Sequence, residues 1–443
     1  MTKNSLAVAI EALSWIAYEG IGERTALFRA AEQLGVTDAD GLRQAHRLIM
    51  EVTRYKNRLD HLVSQSVGTL TIAEIPHGIT SFLKILAFLR YVNRSSKRNL
   101  LRNVGWARQI LGWRELRDLE KPIARIVSGT EKGRDAQLNE FERLSLETCH
   151  PAWFVETLIR EFGRTFALKI LRRNLHLQPS YVRLNPLKTS SQTQIDKVRA
   201  QLHGSEIPFI RDVWQLPKTS SALVRSKLIA SGEIVIQDLA SIAASLVASP
   251  TPGATILDVC AAPGNKTSHL AALMRNRGEI YSLEISERRL RHWKKEMERT
   301  GTTIARPLMA DAKHIPMTIE GDVVLVDPPC SNTGVFARSP SSKWKVTSTL
   351  VSQFAMEQYS IIQAASQHVS VHGTLVYCTC SILPEENEMV VENFLRRRPD
   401  FRMISQKPVL GSPGLRGFDL CQRFYTHIHD CDGYFIARLG RTD

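Results

Sequence analysis

From Leu6 to about Arg125 the apolar residues recur at helical spacing, as in Leu6, Ile10, Leu13 and Ala17, and again in Leu48, Val52, Tyr55, Leu59 and Leu62. A repeat of three to four residues puts one apolar face on a helix, so this stretch predicts an all-helical domain. The polar run Gly129 to Asn139 reads as a linker. Between Pro151 and about Ile229 helical and strand patterns mix, and Tyr181-Val182-Arg183-Leu184-Asn185-Pro186 reads as a strand ended by proline. After Ile234 the period changes again. Thr255 to Cys260, Glu279 to Glu284, Asp322 to Asp327 and Gly373 to Cys378 are near-continuous apolar runs separated by helix-length stretches. Strands buried on both faces belong to a parallel sheet with helices on each side. The predicted fold class is therefore α/β: a doubly wound sheet over 231–443, a small α/β module over 150–230, and an all-helical domain over 1–139.

A chain of 443 residues exceeds what one core usually serves, which agrees with several domains. Its 43% apolar content excludes extended disorder. The 58 Lys+Arg against 44 Asp+Glu leave a net charge of +14, the electrostatic footprint of a phosphate-backbone binder. Arg43, Arg47, Arg54, Lys56, Arg58, Lys97, Arg98, Arg102 and Arg108 stud the helical part, with Trp106 and Trp113 nearby. They suit RNA contact, although a solvated helix surface with core tryptophans has the same pattern. No signal-peptide pattern and no membrane-length apolar run occur, so a cytoplasmic protein without a membrane partner is expected. Seven cysteines, at 149, 260, 330, 378, 380, 421 and 431, show no paired CxxC spacing. A disulfide framework or zinc site is not expected from that arrangement, and the question becomes what free thiols do.

In a doubly wound sheet ligands sit outside the carboxyl ends of the strands. Asp258, Glu284 and Asp327 stand at or near such ends, and Asp311 follows the short run Pro307 to Ala310. Acidic groups are depleted from strands and repel one another, so a cationic or hydroxyl-rich ligand is implied. The loop Cys260-Ala261-Ala262-Pro263-Gly264-Asn265-Lys266-Thr267 carries small residues where backbone approaches a ligand, and then opens a helix. It matches neither a dinucleotide fingerprint nor a P-loop. With Glu284 placed to accept hydrogen bonds from a ribose, the pair suggests an adenosine-bearing cofactor.

Two further motifs bear on the chemistry: Asp327-Pro328-Pro329-Cys330-Ser331 after one buried strand, and Cys378-Thr379-Cys380-Ser381 after the next. A lone cysteine at a strand end is usually a small buried hydrophobe. Two at corresponding ends beside a nucleotide-type site suit attack on carbon 6 of a pyrimidine, which activates carbon 5 for methylation. Cys378 shares the face of Cys380 if the strand persists, and would then compete for thiol reagents. His427, His429 and Cys431 alternate, but ligands at spacing two without a distant fourth make no zinc site, and no metal is expected.

The stretch from Gln237 to Leu439 resembles the Sun/RsmB-type RNA cytosine-5 methyltransferases. The resemblance rests on QDLAS (Gln237 to Ser241), DVCAAPGNKT (Asp258 to Thr267), DPPCSNTG (Asp327 to Gly334), TCS followed by PEENE (Thr379 to Glu388), and RFYTHIHDCDGYFIA (Arg423 to Ala437), in that order. YVRLNPLKT, Tyr181 to Thr189, resembles that family's RNA-binding lead-in, and the helices of about Leu6 to Ser128 look like a NusB-type RNA-binding domain. The resemblance implies a Rossmann-like methyltransferase domain using S-adenosyl-L-methionine. Cys260, Ala261, Ala262, Pro263, Gly264, Asn265 and Lys266 would wrap the cofactor. Glu284, Arg289, Asp311 and Asp327 would contact its ribose, adenine and methionine parts. Cys380 corresponds to the nucleophile, Cys330 to the thiol that assists release, and Lys266 with Asp327 to the pair that holds the target base. Asn265 and Asn332 stand where glycine is usual, and Ser341 where an acid is usual.

The expected substrate is ribosomal RNA, with transfer RNA open because the same core serves both; the expected state is a monomer. Two rivals remain at this point. A DNA-type cytosine methyltransferase would take its nucleophile from the proline-cysteine motif, at Cys330. A non-catalytic RNA-binding factor would have no use for intact Cys330, Cys380, Asp327 and Lys266.

Overall fold

A computed structural model describes residues 1–68, 71–129, 138–189, 191–202, 204–216 and 226–442. The expected linker at 129–139 lies mostly outside the described residues. The chain forms two compact units: Met1–His176 with Phe336–Val346, and Leu177–Val335 with Thr347–Asp443. No described helix is long and apolar enough to cross a membrane.

The first unit is helical. Helices α1 (Lys3–Glu19), α2 (Glu23–Gln33), α3 (Ala39–Arg54), α4 (Lys56–Val67), α5 (His77–Ala87) and α6 (Lys97–Leu111) bury their apolar stripes in one core that includes Leu6, Ile10, Leu13, Leu48, Val52, Leu59 and Phe82. The periodic series from Leu48 to Leu62 spans two helices, because the backbone turns at Tyr55 between α3 and α4. Helices at Glu140–Thr148, Ala152–Phe162 and Arg164–Arg173 fall in the same unit.

The segment Phe336–Val346, far along the chain, also belongs to this unit. Glu23 accepts hydrogen bonds from the Ser341 backbone N–H (2.6 Å) and hydroxyl (2.9 Å). Lys343 donates to the carbonyls of Arg54 (2.7 Å) and Cys149 (2.5 Å), and the Trp344 indole to that of Thr53 (2.7 Å). Arg54 returns a bond to the Ala337 carbonyl at 2.8 Å and is only 1% exposed. The expectation that Arg54 belongs to an RNA-facing surface is therefore corrected: its guanidinium holds this segment.

In the second unit a four-stranded antiparallel sheet comes first, in the order β2-β3-β1-β4: β1 (Ser180–Leu184), β2 (Ser205–Glu206), β3 (Val213–Leu216) and β4 (Ile234–Ile236). The strand forecast from Tyr181 is β1, and Pro186 lies just beyond its end. The motif's polar residues are buried braces. Arg183 donates to Gln237 Oε1 (2.8 Å) and Ser268 Oγ (2.9 Å), and Asn185 to the carbonyls of Gly232 and Thr300 (2.8 Å each). Burial pulls the Arg183 pKa down to about 9.

The larger, nine-stranded sheet contains β5 (Thr255–Val259), β6 (Glu279–Glu284), β7 (Ala305–Met309), β8 (Gly321–Val326), β9 (Val369–Thr379), β10 (Phe401–Met403), β11 (Ser412–Pro413), β12 (Gln422–Phe424) and β13 (Tyr434–Arg441), in the order β11-β12-β13-β9-β8-β5-β6-β7, with β10 on β13. Strands β5 to β9 run parallel, and β13 returns antiparallel to β9. Apolar residues cover both faces, as the runs require. The order reverses at β5, which has β6 on one side and β8 on the other. That switch point is where an open α/β sheet offers its carboxyl-end crevice.

Candidate active site

The loop after β5 leaves the sheet through a left-handed Cys260 (φ 65°) and re-enters helix at Asn265, capped by Gly264 (φ 110°). A side chain at Gly264 would be strained by that φ and would crowd Trp293 and Met297. Ala261 and Ala262 pack on the same Trp293 and Met297, which explains the loop's small residues. Trp293 donates to Thr267 Oγ1 (3.1 Å), and Thr267 donates to Asp258 Oδ2 (2.6 Å). Asp258 is buried, which raises its pKa to about 7 against the opposing Thr267 bond. Rather than standing open at the rim, Asp258 ties the loop's helix to β5.

Glu284 ends β6, 2% exposed. Its Oε1 accepts from the Ser286 N–H at 3.0 Å. Oε2 lies 3.2 Å from Arg289 Nη1 yet takes no well-aligned hydrogen bond. A buried acceptor left this way fits a ribose hydroxyl. Arg289 also donates to the Ala262 carbonyl, so it joins the acid to the loop. Asp311 follows β7 and accepts from the Lys313 N–H at 3.0 Å. Of the departures from the family pattern, Asn332 adopts the left-handed backbone that suits asparagine (φ 58°), while Asn265 is an ordinary helical residue.

The thiols and the ion pair meet at the ends of β8 and β9. Lys266 Nζ lies 2.6 Å from Asp327 Oδ2. Tyr434 donates to Asp327 Oδ1 (3.2 Å) and reaches Cys378 Sγ at 3.4 Å. The sulfurs of Cys330 and Cys380 are 3.0 Å apart, and the Cys380 thiol also reaches Asn332 Oδ1 at 3.0 Å. Cys380 is partly exposed, whereas Cys330 is 7% exposed. The neighbouring Cys330 thiol, then burial, then the Asp327 charge raise the Cys380 pKa well above the usual range, with Lys266 opposing. The Asp327 charge raises that of Lys266 despite burial. Strand β9 ends at Thr379, so Cys380 lies beyond it, while Cys378 inside the strand is fully buried, and burial pushes its thiol up strongly. The expectation that it competes for thiol reagents is corrected.

Sequence reasoning missed several residues of this cluster. Tyr434 follows from register, since Phe435 pairs with Thr379 and Ile436 with Cys378. Gln358 and Trp293 carried no local signal, and Glu386 stood inside the PEENE motif with no role assigned to it. In the RFYTHIHDCDGYFIA segment His429 Nδ1 accepts the Tyr425 N–H (2.9 Å) and Cys431 reaches the Asp432 carbonyl (3.4 Å), so these side chains have structural work in the turn before β13.

A parallel sheet reversing at its first strand, with an antiparallel last strand and a small-residue loop facing a ribose-type acid, defines a Rossmann-like methyltransferase. Residues 245–440 match the family described as 16S rRNA methyltransferase RsmB/F. The probable ribosomal RNA small subunit methyltransferase B of Bacillus subtilis (strain 168) is 31% identical over 317 residues, 69% of this chain and 70% of that one. Its Synechocystis counterpart is 28% identical over 407 residues, 89% and 90% of the two chains. Among solved structures, PH0851 covers 99% of both chains with a TM-score of 0.83 and 25% identity. NSun6 from Pyrococcus horikoshii, crystallised with SFG, covers 66% of this chain and 98% of its own, with a TM-score of 0.61 and 25% identity. The chain belongs to the RsmB/F family of rRNA methyltransferases.

Proposed function

We propose that this enzyme methylates carbon 5 of a cytosine in ribosomal RNA, using S-adenosylmethionine and a covalent adduct to Cys380. The observation that carries the reading is the partly exposed Cys380 sulfur at the end of β9, 3.0 Å from Cys330 and beside the Lys266–Asp327 pair. The loop from Cys260 to Lys266 and the buried Glu284 carboxyl, whose Oε2 takes no well-aligned hydrogen bond, would hold the cofactor, which when bound supplies the methyl group.

Asp327 and Lys266 orient the base through its exocyclic nitrogen and ring polar atoms. The Cys380 thiolate forms a bond to carbon 6, and the electron pair moves to carbon 5, which takes the methyl group. Cys330 then assists loss of the carbon-5 proton, the sulfur–carbon 6 bond breaks, and Cys380 leaves as thiolate. The more exposed thiol makes the first contact and the buried one acts from behind.

The two cysteines should therefore fail differently. Cys380→Ala abolishes methylation and leaves no protein–RNA adduct on denaturing electrophoresis. Cys330→Ala still attacks and methylates but stays tethered, giving a slow band that the double variant loses. Accumulation of adduct in Cys380→Ala instead would reverse the roles and make Cys330 the nucleophile.

A further inference from the structure

Glu386 is completely buried just past the Cys380 turn, and it takes hydrogen bonds from the residue after each thiol, Ser331 and Ser381, and from Gln358. Ser331, the residue after Cys330, gives it a backbone N–H (2.8 Å to Oε1) and its hydroxyl. Ser381, the residue after Cys380, gives its hydroxyl (2.6 Å to Oε2). Gln358 bonds both Oε1 and the carbonyl of Pro329, the residue before Cys330, at 2.9 Å each. Thr333 completes the knot, 2.9 Å from the Ser381 hydroxyl and accepting the Ile382 N–H at 3.0 Å.

All these donors are neutral. A carboxylate buried among neutral donors stabilises a fold poorly compared with an apolar side chain, so its use points to placement rather than stability. The β8–β9 ladder ends at Val326 and Tyr377, before either thiol. Beyond it the two loops are joined by this carboxylate cluster, by the Gly334 N–H bond to the Cys380 carbonyl (2.8 Å) and by the Cys380 thiol's bond to Asn332 Oδ1 (3.0 Å), and of these the carboxylate cluster alone braces the residue after each thiol.

We propose that Glu386 is a positioning residue that sets the distance between the Cys330 and Cys380 sulfurs. Its value to catalysis rests on the two-thiol reading above, whereas its effect on the sulfur distance does not. Proximity can be read directly with diamide, which takes up two electrons and two protons as both S–H bonds break and one S–S bond forms. Coupling of the native full chain is followed by intact mass and peptide mapping. Because a displacement of about 1 Å can cost about a hundredfold in rate, Glu386→Gln should slow Cys330–Cys380 coupling about tenfold or more, and Glu386→Ala further, with cofactor affinity unchanged. Ser331→Ala/Ser381→Ala, which removes donors and keeps the carboxylate, should slow coupling in the same direction and decides the matter if the Glu386 variants do not fold. Coupling within twofold of wild type in folded Glu386→Gln, or in the serine pair, would overturn the proposal. Methylation by Cys380→Ala would instead overturn the nucleophile assignment and leave the coupling rates standing.

Discussion

The covalent route proposed for Cys380 requires a thiolate, and the surroundings of that side chain oppose ionisation. The thiolate is the attacking form, and the Cys330 thiol, burial and the Asp327 charge all raise the pKa. Below that pKa the rate of attack should climb about tenfold per pH unit, as the thiolate fraction does. Because the Cys330 thiol is the largest cause, Cys330→Ala should shift this rising limb to lower pH. Single-turnover adduct formation across pH 6 to 9 measures both. A flat profile, or a limb that stays put in Cys330→Ala, would mean that attack is limited elsewhere. On the cofactor side, Glu284→Ala removes a charged acceptor worth about 1.5–3 kcal/mol. Calorimetry should find S-adenosylmethionine bound at least tenfold more weakly. Asp258→Ala should weaken it through the Thr267 tie rather than by lost contact. The candidate residues Asp327, Cys330 and Cys380 drew notice in the sequence because each follows a recognisable strand. Tyr434 and Glu386 fall inside quoted motifs, yet their contacts could not be read there, since Tyr434 meets Asp327 107 residues away and Glu386 meets Gln358 and Ser331 28 and 55 residues away.

Elements after β9 depend on a second buried acid. Glu388 pairs with Arg423 of β12, whose Nε lies 2.6 Å away, with side-chain exposures of 0% and 1%. Arg423 also donates to the Ile382 carbonyl (2.8 Å), so the pair anchors the β12–β13 hairpin next to the Cys380 turn. Removing one partner of such a pair typically costs about 3–5 kcal/mol, while an apolar replacement of both is nearly neutral. Arg423→Met should lower the urea midpoint accordingly, and Arg423→Met with Glu388→Met should recover most of the loss. Equal destabilisation by the single and double variants would assign the effect to packing. The strands β5, β6, β8 and β9 could be read from their apolar runs because burial on both faces leaves no polar alternation to confuse them. β7 was harder, since Arg306, Pro307 and Met309 are exposed at the sheet's edge. Short β10 and β11 exist through pairing with β13 and β12, which no local pattern encodes.

For the whole molecule, the helical unit combines exposed cations with a hold on residues 336–346, two duties that a point substitution can separate. Its exposed Arg47, Arg58, Lys97, Arg98 and Arg102 suit phosphate contact, whereas Arg54 is spent on the Phe336–Val346 segment and Arg108 on Glu120 (2.8 Å). That segment follows the Cys330 loop directly, and its buried hydrogen bonds run to Glu23, Thr53 and Arg54 and, outside residues 1–139, to Cys149. The pattern of residues 336–346 carried no sign of this, because the hydrogen-bond partners that hold it lie more than 190 residues earlier. Deleting residues 1–139 should therefore do more than remove charge. RNA affinity should fall and its loss with salt become shallower, as fewer phosphates are neutralised. Cofactor binding should persist, since the Gly264 loop, Glu284 and Arg289 are held within the second unit. The Ser341 amide, which donates to Glu23 in the full chain, should exchange markedly faster once Glu23 is gone. Unchanged affinity and salt slope would show that the basic helices serve something other than RNA. Retained protection of Ser341 would show that the segment finds its place without them. The variant Glu23→Ala separates the duties, because it removes the Ser341 acceptor and leaves every one of the exposed cations: amide protection should fall while the salt slope stays that of the full chain.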